Sequence, residues 1–429
     1  MLIGTNPRRV AVLGGMRIPF ARAHGAYADD GNQQMLTAAL SALVTRFGLA
    51  GLTLGEVAAG AVMKHSSQWN LTRESLLDSG LTPQTPGLDL QRACGTSLEA
   101  AILVGNKIAL GQIDSGIAAG VDTVSDPPVV FARGFQQLLL QSFRARDTLS
   151  RLTPFLKLRP RHFRPVLPGI VEPRTGLSMG ESAERMVHQW GITRLDQDRL
   201  AFESHTRAAA AYAAGFYADL IEPFHGLTQD NNIRADTSLE KLGRLPPVFD
   251  RTGSGTLTAG NSTPMTDGAA AVLLASEAWA GQRGLPVLAW LSRVEVAAVD
   301  YFGADPEGML MAPAYAVPRM LAKAGLSLQD FDYYEIHEAF AGQVLCTLAA
   351  WQDPDFCRNR LGLAAPLGDI DRARLNVCGG SIAIGHPFAA TGARILATLA
   401  KKLHQEKAGR GLISICTAGG MGVTAILER

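Results

Sequence analysis

A chain of 429 residues, 47% of them apolar and with a formal net charge of +1, is long enough for two or three domains around a sizeable core. That balance excludes a disordered polypeptide and a protein that grips nucleic acid through overall positive charge. The longest apolar runs, such as residues 269–275, fall far short of the roughly 20 residues that span a bilayer. The opening MLIGTNPRRV has two arginines but no apolar stretch of secretory type behind them, so a cytoplasmic location is the expectation. The five cysteines are odd in number and scattered, which argues against a disulfide framework. No Cys or His pair sits at zinc-ligand spacing, and no metal is expected.

Taken in order, residues 10–13 read as a short buried strand. Residues 35–47 read as a helix with Leu36, Leu40, Leu43 and Val44 on one face, stopped by Gly48, and 57–63 as a second strand. Such alternation predicts an α/β architecture. The stretch LVTRFGLAGLTLGEVAAGAV is echoed in the second half by PRMLAKAGLSLQDFDYYEIH, which suggests two similar α/β halves. The boundaries expected are an N-terminal domain of 1–125 plus 248–285, an inserted loop domain over 126–247, and a C-terminal domain over 286–429. Within the insert, helices are expected over 182–189 and 195–216. Its segment 133–164 holds eight Lys/Arg and one acid, Asp147, a net of +7 that leaves about −6 on the rest. Leu138, Leu139, Leu140, Phe143, Phe155, Leu156 and Phe163 are interleaved with those charges. A solvated face, a partner surface or an anionic membrane would each suit that pattern.

Four residues stand where chemistry is expected. Cys94 follows a short strand, 87–90, and precedes a helix with Leu98, Ile102, Leu103 and Leu110 on one face. Thr96 or Ser97 is the expected cap. A helix start stabilises a thiolate, and the expectation is a lowered pKa. A lone cysteine is ordinarily a small core hydrophobe, so Cys94 needs a base to become a nucleophile. His386 supplies that candidate. It lies between Gly385 and Pro387, just ahead of a helix expected over 391–403, whose free N–H groups would favour an anion. Cys416 ends a strand over 412–415 and runs into Thr417, Ala418, Gly419 and Gly420, a loop whose N–H groups can face an oxyanion. His337, in EIHEAF, is expected to end a strand and open a helix, with Glu338 complementing the helix dipole. Residues 254–276 form a turn-rich loop leading into a helix or strand of small residues. Cys346, Cys357 and Cys378 lack a comparable setting and are assigned to structure.

Taken together, QRACGTS, MGESAE, TAGNSTPMTDGAAAVLL, HEAF, NVCGGSIAIGHPFAATGAR and CTAGGMG resemble the thiolases, in order and over essentially the whole chain. The resemblance implies two βαβαβαββ domains in α-β-α-β-α layers with an inserted loop domain, assembled as a homodimer or a dimer of dimers. It implies Cys94 as the acyl-accepting nucleophile, His386 as its base and Cys416 as the second acid/base. His337 stands where many thiolases have Asn; it would position a water that, with His386, binds the thioester oxygen. The backbone N–H groups of Cys94 and Ala418 would form a second oxyanion hole, Ala418 replacing the more usual Gly. Asn261, Ser262 and Thr263 would contact coenzyme A, which enters as a substrate, with no cofactor or metal required. HEAF, FAATG and the basic insert resemble the trifunctional-type 3-ketoacyl-CoA thiolases of fatty-acid β-oxidation. That likeness implies that segment 133–164 helps cover the acyl tunnel, meets a hydratase/dehydrogenase partner, or makes a peripheral membrane contact. The alternatives are a biosynthetic acetoacetyl-CoA thiolase, a hydroxymethylglutaryl-type synthase, against which Cys416 speaks, and a non-catalytic acyl-CoA-binding scaffold, against which the intact set of four speaks.

Overall fold

The computed structural model describes residues 7–169, 171–407 and 409–429; the opening MLIGTN, read above for targeting, lies outside them. The first half builds β1 (Val10–Arg17), α1 (Asn32–Arg46), β2 (Glu56–Ala59), α2 (Leu71–Leu77), β3 (Gly87–Asp89), α3 (Thr96–Ala109) and β4 (Ser115–Asp122). The chain then leaves the sheet for an excursion that includes α4 (Arg133–Arg144), α5 (Met179–Gln189) and α6 (Arg194–Ala213), and returns as β5 (Thr266–Ser276). The second half follows as β6 (Ala289–Ala298), α7 (Ala312–Ala324), β7 (Tyr333–Ile336), α8 (Ala341–Gln352), α9 (Thr391–Glu406), β8 (Arg410–Thr417) and β9 (Met421–Glu428).

The two halves repeat one topology. In the first, the strand order is β1-β5-β4-β2-β3, and in the second it is β6-β9-β8-β7. In each half the first two pairings are antiparallel and the third is parallel. The sequence echo falls on equivalent elements, α1 with β2 and α7 with β7. The half-sheets are also joined, because β1 pairs with β6 through Ala11–Trp290 and Val12–Ala289.

Strand periodicity sorts the side chains into layers. Ala269, Ala271, Leu273 and Ala275 of β5 share a core with α1, whereas Ala270, Val272 and Leu274 of the same strand share another with α3 and α9. Ile413, Ile415, Val423 and Ala425 of the second half face that same α3 and α9 core, while Leu412 and Ile426 pack with α7 and α8. Helix, sheet, helix pair, sheet, helix is the result. The small-residue stretch ending at Ser276 is thus a strand, buried on both faces, with little space for larger side chains.

Several boundaries differ from the sequence reading for local reasons. The strand expected over 57–63 stops at Ala59, where Gly60 passes so close to Leu90 that a Cβ would lie 1.8 Å from its carbonyl oxygen. Beyond it the N–H groups of Val62 and Met63 turn to the Asp122 carboxylate at 2.8 and 2.7 Å. Helix α5 starts at Met179, earlier than expected, because Ser178 and Glu181 form a reciprocal capping box.

Helices α3 and α9 cross at the centre of the molecule. A Cβ on Gly392 would stand 2.4 Å from the Leu98 nitrogen, and Ser97 Oγ accepts from the Ala393 N–H at 2.8 Å. Gly392→Ala must therefore push the helices apart. An expected loss of about 1–3 kcal/mol, read by chemical denaturation, checks this; unchanged stability would show that the crossing yields freely.

Candidate active site

Cys94 sits on a strained turn between β3 and α3. Ala93, just before it, has φ +43°, a left-handed conformation that disfavours a side chain. Thr96 holds the turn by accepting from the Arg92 N–H at 2.9 Å and donating to the Ala93 carbonyl at 2.7 Å. The expected cap is therefore absent: Gly95 is the N-cap without a side-chain bond, Thr96 serves the turn and Ser97 serves α9.

His386 enters from the second half at the equivalent place, just ahead of α9. Its N–H donates to Thr266 Oγ1 at 3.2 Å, and its Nδ1 lies 2.5 Å from Thr391 Oγ1 in the first turn of α9. The Thr391 hydroxyl is 3.4 Å from the Pro387 carbonyl. Donating there, it accepts the Nδ1 proton and leaves Nε2 as a lone-pair acceptor.

His337 follows β7, and its N–H donates to the Ser414 carbonyl at 2.8 Å. That bond carries the β7–β8 pairing one residue further. His337 does not open a helix as expected, since α8 begins only at Ala341. Glu338 is the reason. Its carboxylate turns inward to accept from Asn376 Nδ2 at 2.6 Å, Ser204 Oγ at 2.8 Å and the Ile382 N–H at 3.2 Å, so it does not face a helix dipole.

The fold brings these residues together. One ligating atom each from Cys94, His337 and His386 lies within 4.8 Å of the others, and the two imidazole rings are 4.1 Å apart. Both Nε2 atoms are buried and without a partner. Among the described residues this is the group close enough to share a cation, and sequence spacing alone did not reveal it. Cys416 lies on β8 opposite Gly422, close enough for a charge on Cys94 to bear on it. The Ala418 N–H, in the loop after Cys416, acts on the Cys94 thiol in the direction of a lower pKa. Glu172, which sequence reasoning missed, holds that loop from the excursion: it accepts from the Gly419 N–H at 2.8 Å and from the Tyr301 hydroxyl at 3.1 Å. A lone glutamate in an irregular segment gave no signal to find it by.

A cleft of about 350 Å³ is lined by Arg22, Arg234, Lys241, His205 and Ser262, with Ile382, next to Ser381, in its wall; Cys94, His337, His386 and Cys416 do not line it. Of the three residues expected to meet coenzyme A, Ser262 lines the cleft. The Asn261 side chain is committed to the Thr258 N–H, Asp198 and the Thr256 carbonyl, and the Thr263 hydroxyl to the Ser381 carbonyl.

Burial decides the protonation states. It pushes the Cys94 thiol up to about 12, against the opposing pull of the Ala418 and Cys94 N–H groups. The expectation that the helix start lowers this pKa is therefore overturned. Burial, and then the Arg394 charge, takes His386 down to about 3; His337 is held well below its usual range by burial, His386 and Arg394. Cys416 is raised by burial and by Cys94. At neutral pH the resting site is thus thiol beside neutral imidazole, and without substrate the thiolate fraction is set by loss of the proton to solvent. Iodoacetamide alkylation of Cys94 is expected to quicken about tenfold per pH unit from pH 7 to 9 as the thiolate fraction grows. A rate already level at neutral pH would reveal a standing thiolate–imidazolium pair instead.

Comparison with known proteins identifies the family. The family model "Thiolase, N-terminal domain" matches residues 10–278, and "Thiolase, C-terminal domain" matches 289–429. The 3-ketoacyl-CoA thiolase of Pectobacterium atrosepticum is 40% identical over 433 residues, covering 100% of this chain and 98% of that protein. That of Yersinia pestis is 38% identical with the same coverage. Among solved structures, the acetyl-CoA acetyltransferase of Bacillus anthracis superposes with a TM-score of 0.81 at 29% identity, over 99% of this chain and 100% of that one. Human mitochondrial 3-ketoacyl-CoA thiolase in complex with CoA gives 0.80 at 28%, over 98% of each chain. With two matched domains spanning nearly its whole length, the chain belongs to the thiolase family.

Proposed function

We propose that this protein is a degradative 3-ketoacyl-CoA thiolase, cleaving 3-ketoacyl-CoA with coenzyme A to acetyl-CoA and a shortened acyl-CoA. The observation that carries the reading is the meeting of Cys94 with the two unpartnered Nε2 atoms. As His386 Nε2 takes the Cys94 proton, the sulfur adds to the ketone carbon and the ketone oxygen becomes an oxyanion. When the oxyanion collapses, the bond between C2 and C3 breaks. Its electron pair leaves on acetyl-CoA, and the Cys416 thiol protonates that carbanion. The acyl group stays on Cys94. A fresh coenzyme A thiol then gives its proton to the Cys416 thiolate and attacks the thioester, which releases acyl-CoA, and the freed Cys94 sulfur recovers its proton from His386. Each oxyanion needs fixed donors, worth roughly 3 kcal/mol apiece in other enzymes. The Cys94 and Ala418 N–H groups suit one such hole, and His337 the other. The basic cleft of Arg22, Arg234 and Lys241 suits the phosphates of coenzyme A, with the substrate itself supplying all the reactive thioester chemistry.

Biosynthetic condensation of two acetyl-CoA uses the same residues in reverse, and the likeness to an acetyl-CoA acetyltransferase favours it. Cleavage of a chain-length series, from acetoacetyl-CoA to 3-ketohexadecanoyl-CoA, separates the two. Preference for long chains, abolished by Cys94→Ala, is the expected result. Activity confined to acetoacetyl-CoA would favour the biosynthetic enzyme.

The reading extends to assembly and place: a cytoplasmic homodimer or dimer of dimers in β-oxidation, docking a hydratase/dehydrogenase subunit, with segment 133–164 over the acyl tunnel or on membrane. Helix α4 buries Leu138, while Phe143 and Leu156, at 85% and 87% exposure, stand out among the arginines of the segment. Among the described residues no helix is long and apolar enough to cross a membrane, so contact would be peripheral. Sedimentation with phosphatidylglycerol vesicles is expected to carry the protein down, and Phe143→Ser with Leu156→Ser to halve that fraction or more. Equal recovery with and without vesicles would leave the segment to the tunnel or to the partner subunit.

A further inference from the structure

The two imidazoles of the site are wired differently. His386 Nδ1 meets a threonine hydroxyl that has a carbonyl to donate to, which leaves its Nε2 an acceptor. His337 Nδ1 instead lies 2.8 Å from Ser381 Oγ, and Ser381 Oγ accepts from Arg394 Nη2 at 2.6 Å. A guanidinium can only donate. The serine oxygen therefore accepts from Arg394, and since among the described residues no other acceptor lies within hydrogen-bond distance of its hydroxyl, the serine proton goes to His337 Nδ1. Arg394 is 2% exposed and anchored toward Glu335 at 3.8 Å. We infer that Ser381 and Arg394 are positioning residues that fix His337 as the Nε2–H tautomer, so that the site presents one imidazole acceptor and one imidazole donor 4.1 Å apart.

The division has a chemical purpose. Two acceptors facing one cleft could not hold a developing oxyanion, and two donors could not receive the Cys94 proton. With opposite tautomers, His386 takes the proton while His337 Nε2–H points at the oxygen, directly or through one water. The buried guanidinium also opposes a second positive charge on His337, which keeps the ring a neutral donor through the cycle. Only the catalytic consequence rests on the function proposed above; the tautomer rests on the hydrogen bonds alone.

Ser381→Ala removes the serine proton and leaves Nδ1 without its donor. Nitrogen-15 NMR of histidine-labelled protein is expected to show His337 with a protonated Nε2 and bare Nδ1 in the wild type, and a mixed or reversed pattern in the variant. With 3-ketoacyl-CoA, kcat should fall by about 10- to 100-fold, at or below the cost of a lost oxyanion donor, with KM changed little. Ser381→Thr, which keeps the hydroxyl, should restore both signals. A wild-type His337 protonated at Nδ1, or a variant that lowers kcat with the tautomer unmoved, would overturn the inference. If the protein cleaves no 3-ketoacyl-CoA at all, the function fails while the NMR still decides the tautomer.

Discussion

The crossing of α3 and α9 is the contact on which the rest depends. Each helix begins just after a reactive residue, Cys94 for one and His386 for the other, and each belongs to a different half of the chain. Their separation is set by Gly392 against the Leu98 backbone and by Ser97 bonded to the Ala393 N–H. A side chain at 392 would push apart the two helix starts that follow Cys94 and His386. The hydrophobic core around this pair draws strand residues from both halves, so the geometry of the site is tied to the global stability of the fold.

Duplication explains why the site lies where it does. Repeating one topology places the start of α3 beside the start of α9, and the ends of the parallel strands face the same space. His337 directly follows β7, Cys416 lies near the end of β8, and Asp122 ends β4, the counterpart of β8. Asp122 has taken a structural task, its carboxylate accepting from Val62, Met63 and Ala389 N–H groups. That last bond ties the first half to the turn that carries His386. One half supplies Cys94 and a brace, and the other supplies the two imidazoles and Cys416.

Burial sets the chemical temper of the site. Desolvation holds Cys94 and Cys416 as thiols and both histidines neutral. Such a site keeps Cys94, Cys416 and both imidazoles uncharged at rest, with the buried Arg394 guanidinium as the fixed charge beside them. The excursion between β4 and β5 contributes to this order through Glu172, which holds the Gly419 N–H and with it the loop that carries Ala418.

Much of this was legible in the residues alone. Alternating strands and helices, the echo between the halves, and the glycine-rich settings of Cys94, His386 and Cys416 depend on local pattern: side-chain period, helix starts and tight turns. The six ordered motifs pointed to the family before any contact between them was known. Other features are sums over residues far apart in sequence. The strand after Gly55 ends early because Leu90 and Asp122 meet it, Glu338 turns inward because Ser204 and Asn376 receive it, and Asn261 is taken up by Asp198. The Cys94 pKa ran opposite to the helix-start argument, since desolvation depends on everything packed around the sulfur and outweighs a single dipole. Sequence determined which groups could react; only the tertiary structure decided their protonation, their partners and the direction each nitrogen faces, because those are set by distance through space.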